Sequence, residues 1–283
     1  MPTFATPQPI LVTIDLFVGD ARISASARTD TVVEVRPRDP KNQNDTKAAA
    51  NTRVEYEDGK LTIKAPKSLQ IYFSSKAGMV DVTVELPIGS QVRGHTAQGN
   101  FRCEGELGDC SFKTSSGDIG LGRAGSVRLS TMDGQIIVGR AGGDSHVTGS
   151  GEVRIGEIAG TASVKNLNGD SWVGQVSGDI SLNSAHGNIA IDRAGANVVA
   201  RTAHGDVHVG EVARGKVVLQ TASGELEVGI RKGTAAWLDV KSSSGDVRNG
   251  LASADSPETT DETVEVRART YHGDITIRRA TGN

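Results

Sequence analysis

The stretch that decides the fold is His204-Gly205-Asp206-Val207-His208-Val209-Gly210-Glu211-Val212-Ala213-Arg214-Gly215-Lys216-Val217-Val218-Leu219-Gln220-Thr221-Ala222-Ser223-Gly224-Glu225-Leu226. It opens and closes on the same signature, a Gly followed by an acid and an apolar residue. After Gly205 come Val207 and Val209, alternating with polar neighbours. A second turn follows. Val217 and Leu219 then stand seven and five places before the next glycine, Gly224. Alternation with period two marks strands with one buried face. Two such strands and two turns are too short for a sandwich hairpin plus a crossover.

Outward from this unit the signature recurs. Gln98-Gly99-Asn100-Phe101, Ser116-Gly117-Asp118-Ile119, Asp133-Gly134-Gln135-Ile136 and Ser150-Gly151-Glu152-Val153 precede it, with Asn168-Gly169-Asp170 and His186-Gly187-Asn188-Ile189. Ser244-Gly245-Asp246-Val247 and His272-Gly273-Asp274-Ile275 follow. From Gly99 to Gly245 the steps are 18, 17, 17, 18, 18, 18, 19 and 21 residues, and the last step, 28, holds an insertion. Such a period predicts an all-β, parallel β-solenoid of about nine or ten two-strand coils, each strand pairing with its equivalent one coil away. The alternative is a β-sandwich of hairpins, which predicts antiparallel pairing between sequence neighbours.

The solenoid is expected over 94–283, with an acidic loop at 251–263 around Asp255-Ser256-Pro257-Glu258. Residues 1–93 do not keep the period and read as an all-β cap over the first open edge. Strand-like runs stand at Ile10–Phe17, Arg22–Ser26, Thr31–Arg36, Arg53–Tyr56, Lys60–Lys64 and Val80–Leu86. Asp58-Gly59 is a hairpin turn signal, and Asp45–Ala50 is the one helical turn. At the far end, Ile275 and Ile277 are expected on the last, open coil, guarded by Arg278 and Arg279.

The chain has 283 residues, 35 of them glycine, and a formal net charge of -3 with lysines and arginines scattered. Scattered charge excludes a nucleic-acid footprint, and no apolar run is long enough for membrane insertion by a helix. The first residues lack a basic start and an apolar run, so a cytoplasmic location is expected, or the surface if a leader has been removed.

The tandem Ser/His-Gly-Asp-Val units, the opening Met1-Pro2-Thr3-Phe4 and the run Gly233-Thr234-Ala235-Ala236-Trp237-Leu238 resemble a large bacterial family, common in actinobacteria. Its members are β-strand-repeat proteins of unknown function that carry the label adhesin. The resemblance implies a repetitive all-β fold and surface exposure, and supplies no reaction or catalytic residues.

In a solenoid, equivalent positions stack into rows. The row after the turn glycine holds Asp118, Gln135, Glu152, Asp170, Asn188, Asp206, Glu225 and Asp246. These oxygens could bind calcium, or satisfy the turn backbone. The second reading is preferred because Gln135 and Asn188 dilute the charge. His186 and His204, with Asp206 beside them, are the weak metal candidates, two ligands short of a closed zinc site. Asp144 and His146, counted back from Gly151, fall on inward places and would form a buried polar pair. A one-residue slip at Gly142-Gly143 would instead bury Ser145 and Val147, at less cost. Cys103 and Cys110 fall on inward places of opposite walls. A disulfide is conceivable there, and reduced packing is the expectation in a cytosolic protein.

The outward row four places before the glycine reads Lys113, Ser130, Val147, Lys165, Asn183, Arg201, Gln220 and Lys241. Trp172 is expected outward near Ile137 and Arg154. Trp172, Arg154, Lys165, Arg201 and Lys241 are therefore the candidate partner surface. No nucleophile-and-base constellation or cofactor fingerprint stands out, so no cofactor is expected. The function expected is a non-enzymatic scaffold or protein-binding, adhesin-like module, with an unidentified protein partner or self-association. The alternative is a carbohydrate-active or carbohydrate-binding β-helix, which the scarcity of aromatic platforms (two Trp, three Tyr and five Phe) disfavours.

Overall fold

Alternating apolar residues in a chain this rich in turns can bury one face only by stacking strands, and the computed structural model shows how. It describes residues 1–66, 78–251 and 262–281. The chain forms two compact units, Met1–Arg140 and Ala141–Asn283.

The first unit runs β1 (Thr3–Ala5), β2 (Leu11–Asp15), β3 (Ala21–Ser26), β4 (Asp30–Pro37), α1 (Gln43–Ala50), β5 (Arg53–Glu57), β6 (Lys60–Lys64) and β7 (Val80–Pro87). It continues with β8 (Gln91–Gln98), β9 (Phe101–Glu106), β10 (Cys110–Ser116), β11 (Ile119–Ala124), β12 (Val127–Asp133) and β13 (Ile136–Ala141). One sheet has the order β1-β4-β7-β3-β9-β11-β13, the other β12-β10-β8-β2-β6-β5. Pairing is parallel where the repeat runs, as between β10 and β12, Cys110 opposite Val127 and Phe112 opposite Leu129. The parallel ladder reaches upstream of Gly94, because β2 pairs in parallel with β8 and β3 with β9. Gly19-Asp20 turns the corner between β2 and β3 as the later glycines do. Among the described residues, antiparallel strands appear only outside this coil: β4 on β7, β1 on β4 and β5 on β6. The β5–β6 turn is Asp58-Gly59, with φ of 48° and 74°, the two-residue hairpin its sequence predicts. Asn42 caps α1 by accepting the Asn44 N–H, and buried Asp45 accepts the N–H groups of Asp39 and Met79.

The second unit runs β14 (Ser145–Gly149), β15 (Val153–Ile158), β16 (Ala162–Asn168), β17 (Ser171–Val176), β18 (Ile180–His186), β19 (Ile189–Ala194) and β20 (Val198–Arg201). It ends with β21 (Val207–Val212), β22 (Gly215–Ser223), β23 (Leu226–Ile230), β24 (Ala235–Ser244), β25 (Val247–Asn249), β26 (Thr263–His272) and β27 (Ile275–Arg279). Here too each strand pairs in parallel with its copy one coil on: Ile180 opposite Val198, Val198 opposite Val217, Ile189 opposite Val207. The sandwich alternative, which needs antiparallel neighbours, is excluded. Val198, Val209, Val217 and Leu219 are completely buried, so the rows read from the glycine count form the core.

Three points are decided, the second as a correction. First, of the two readings at Gly142-Gly143 the slip is the one observed, and Asp144 and His146 are not a buried pair. Ser145 and Val147 take the inward places, and Asp144 is exposed. The chain slips by one residue at Gly142-Gly143, which spares a carboxylate and an imidazole from burial. Thr148, not Val147, therefore stands beside Lys165 in the outward row. Second, the last coil in sequence is not the last in space. The sheet orders end β22-β26-β24 and β23-β27-β25, so β26 and β27 insert ahead of β24 and β25. Ile275 and Ile277 are buried, and the open coil is the one carrying Val247 and Asn249. Third, His272 stacks in the repeat, between Ser223 and Ser244. Of the acidic loop at 251–263, residues 252–261 lie outside the described residues.

Candidate binding wall

The carboxylates after the turn glycines serve the backbone. Asp118 Oδ1 accepts the Gln135 N–H at 2.8 Å, Asp170 Oδ1 that of Asn188 at 2.8 Å, and Asp206 Oδ1 that of Glu225 at 2.7 Å. Where the place holds Asp, one coil ties the next through a charge-assisted bond; Asn100 and Asn188 make the same bond with a neutral amide oxygen. A second column does the same at the other corner: Asp109 accepts from Ser126, Asp144 from both the N–H and the hydroxyl of Thr161, and Asp179 from Asn197. The Thr161 N–H, and then its hydroxyl, hold the Asp144 carboxyl below the usual carboxylate range. His186 and His204 are exposed and stack ring on ring with centroids 5.3 Å apart. Asp206 turns its Oδ1 to Glu225, and among the described residues no three His, Cys, Asp or Glu side chains gather as a metal-binding group. Cys103 and Cys110 are free and buried. Burial pushes both thiols up, that of Cys110 to about 12.

The repeat also hides a column that the glycine count passes over. Three places before Gly117, Gly134, Gly205, Gly224 and Gly273 stands a buried threonine hydroxyl. Thr114 donates to the Gly99 carbonyl, Thr131 to Gly117, Thr202 to Gly187, Thr221 to Gly205 and Thr270 to Gly224. Asn166 takes that place in one coil, its Nδ2 bonding the carbonyls of Gly151 and Gly169. The recurring Thr is visible in the sequence once one looks for a donor to the corner carbonyls.

The five residues read as a partner surface divide between two walls. Lys165, Arg201 and Lys241 lie in one row on one sheet, through Asn183, Gln220 and Arg269. Arg269 enters that row only because β26 is inserted. Arg201 donates to Gln220 at 2.7 Å. Arg154 and Trp172 lie on the opposite sheet, side by side on β15 and β17.

This second wall carries the densest chemistry among the described residues. The Arg154 guanidinium lies over the Trp172 ring, 5.1 Å from its centroid, and Arg154 also meets Glu152 at 3.1 Å. Trp172 Nε1 donates to Asp192 at 3.0 Å. The indole has room because position 174 is glycine; a methyl group there would stand 3.0 Å from Cη2. Trp172 is half-buried, a rigid aromatic fixed at both ends. Beyond Asp192 opens a cavity of about 500 Å³, lined by Asp192, Arg193, His208, Glu211, Arg231 and Arg278 among others. Several of its charges are paired. Arg231 meets Glu211 at 2.9 Å. Glu227 accepts from Arg278 and faces His208 Nδ1 at 3.3 Å. Burial pushes the Glu227 carboxyl up, but Arg278 and His208 outweigh it and hold the group below the ordinary carboxylate value. His208 and Glu227 each stand three places after their turn glycine, so the pairing was legible from the repeat. Arg278 was not, because it reaches Glu227 only through the inserted β27. The arrangement can present a fixed aromatic and a mosaic of both charge signs.

A family model for the Toastrack DUF4097 family matches residues 13–283. No curated protein matches the chain. Among solved structures the chain is similar to a candidate adhesin from Parabacteroides merdae (10% identity, 99% of this chain and 95% of that one, TM-score 0.38). It is also similar to a candidate adhesin from Parabacteroides distasonis (13% identity, 97% and 95%, TM-score 0.36). A candidate lipid-binding protein from Parabacteroides distasonis is similar at 12% identity, over 98% and 95%, with a TM-score of 0.33.

Proposed function

We propose, from the premise that the chain belongs to the Toastrack DUF4097 family, that it is a non-enzymatic, adhesin-like binding module whose partner is a protein docked on the Trp172 wall. The observation that carries this reading is Trp172, clamped between Arg154 and Asp192, the latter lining the charged cavity. A pre-ordered tryptophan loses little conformational entropy on contact, and Trp and Arg are the side chains that anchor protein interfaces. The paired charges of both signs suit a partner of mixed charge, since a matched mosaic sets register and orientation. A sugar would need the indole face, and Arg154 already lies over it.

The test places a photo-crosslinking amino acid at Arg193, on the cavity rim, or at Arg128 on the other sheet, in extracts of the source organism. A discrete protein adduct is expected from position 193 only, and Trp172→Ala is expected to abolish it. Loss of a central tryptophan costs about 2 kcal/mol, roughly thirtyfold in Kd. Equal adducts from both positions, an adduct untouched by Trp172→Ala, or retention of a glycan through Trp172 would each overturn the reading.

A further inference from the structure

The second unit ends on an edge suited to pairing. β24 has β26 along one side and, among the described residues, no strand along the other. It is ten residues long. The Ala235 N–H bonds to the Glu262 carbonyl at 2.9 Å, on the β26 side. Backbone groups alternate sides along a strand, so Ala236, Leu238, Val240 and Ser242 turn theirs to the open edge. The same four residues point their side chains into the coil, where cover runs out. Leu238 and Val240 are only half-buried, whereas Val266 and Ala268 beside them are fully buried. Val247 is 44% exposed next to Ile275, which is 0% exposed.

Long open edges are usually protected by charge. β24 carries one outward charge of each sign. Asp239 is held by Arg269 at 2.9 Å. Lys241 stands opposite Arg269 in register, like beside like. An antiparallel second copy centred on Val240 resolves this conflict. Val240 then faces Val240 of the second copy as a hydrogen-bonded pair, and Leu238 faces Ser242. Asp239 of each chain faces Lys241 of the other at a non-hydrogen-bonded position, where side chains approach most closely. Centring on Leu238 would set Asp239 against Trp237, and centring on Ser242 would set it against Gly245. Only Val240 matches both the free backbone groups and the charges.

We propose that β24 is a homotypic docking edge, at which two copies of this chain join strand to strand, antiparallel, about a two-fold axis through Val240. The contact uses the same patch on both copies, so it closes as a dimer and does not propagate into a filament. It extends the coil stack of each copy and covers Leu238 and Val240.

Size-exclusion chromatography with light scattering on the full chain is expected to show a dimer. Val240→Pro, which has no N–H for the edge, is expected to be monomeric with little change in Tm. Val240→Cys is expected to give a disulfide-linked dimer on mild oxidation, because the paired Cα atoms stand about 5.5 Å apart, within disulfide reach. Lys241→Asp sets acid against acid and weakens dimerisation by roughly tenfold or more. Adding Asp239→Lys to Lys241→Asp restores it. A monomer at every concentration, a filament, no cross-link through Val240→Cys, or a double charge swap that fails to restore the dimer would overturn the proposal.

Discussion

Gly205→Ala tests the coil stack at one of its close corner contacts. Gly205 turns the corner into β21 at φ +140°. A methyl group built on it would stand 2.2 Å from the Gly187 carbonyl oxygen and 2.6 Å from the carbonyl carbon. That carbonyl cannot retreat freely, because Thr202 donates to it and the ladders on either side fix the coil spacing. Two costs add. The positive φ alone costs an L-residue about 1–2 kcal/mol. Relieving the clash breaks or stretches the corner hydrogen bonds, and the sum reaches about 3–5 kcal/mol. Gly59→Ala is the matched control: φ is +74° and no atom lies within 4 Å of the added methyl, so only the first cost applies. At about 2–4 °C per kcal/mol, Gly205→Ala should lower Tm by roughly 6–20 °C, and Gly59→Ala by a few degrees. Paired thermal and urea unfolding curves measure the difference. Equal, small losses in the two variants would refute the claim that the glycines are required by the close approach of successive coils.

Ser145 is buried at an inward place and its hydroxyl has no partner, so Ser145→Ala should raise stability by about 1 kcal/mol; an unchanged or lower urea midpoint would count against the assignment. Glu227 gives a pH dependence. Its folded pKa lies below the ordinary value of 4.5, so its contribution is complete above about pH 4.5 and is lost as pH falls through the folded value. Arg278→Ala removes the main lowering contact, so the gap in Tm between wild type and variant should be widest near neutral pH and close as pH falls through the folded value. A gap independent of pH would place the effect elsewhere.

The period was legible because each strand pairs with its own copy, so one glycine count fixes every row. It failed at Gly142-Gly143 because counting back from Gly151 assumes a turn of constant length. The other corner held the missing phase. Asp109, Asp144, Asp179 and Asn197 each stand immediately before the first inward residue of a strand, namely Cys110, Ser145, Ile180 and Val198. All four accept a backbone N–H from the next coil or, for Asn197, from Lys216. Aligned on that acceptor, Asp144 faces out and Ser145 faces in. The Trp172 wall was half legible: Arg154 and Trp172 follow from the rows, whereas the Arg278–Glu227 contact depends on strand order, which periodicity does not carry.

Strand order at the C-terminus follows instead from one polar side chain. In the coils that lie between neighbours, the second inward place after the turn glycine is Val209, Val228 or Ile277, all fully buried. In β25 that place falls on Asn249, in register with Ile277. Chain order would stack Asn249 directly on Val228 and bury its amide between two apolar layers, a cost of about 1–3 kcal/mol without a partner. Inserting β27 puts Ile277 against Val228 and leaves Asn249 exposed, where its Oδ1 accepts the Leu251 N–H at 3.0 Å. The same exchange moves the buried row Val264, Val266, Ala268 and Thr270 inward and pushes β24, with its half-covered Leu238 and Val240, to the edge. A repeat that can place its coils in either order is sorted by which coil tolerates water, and the coil that tolerates it is the one left free to pair.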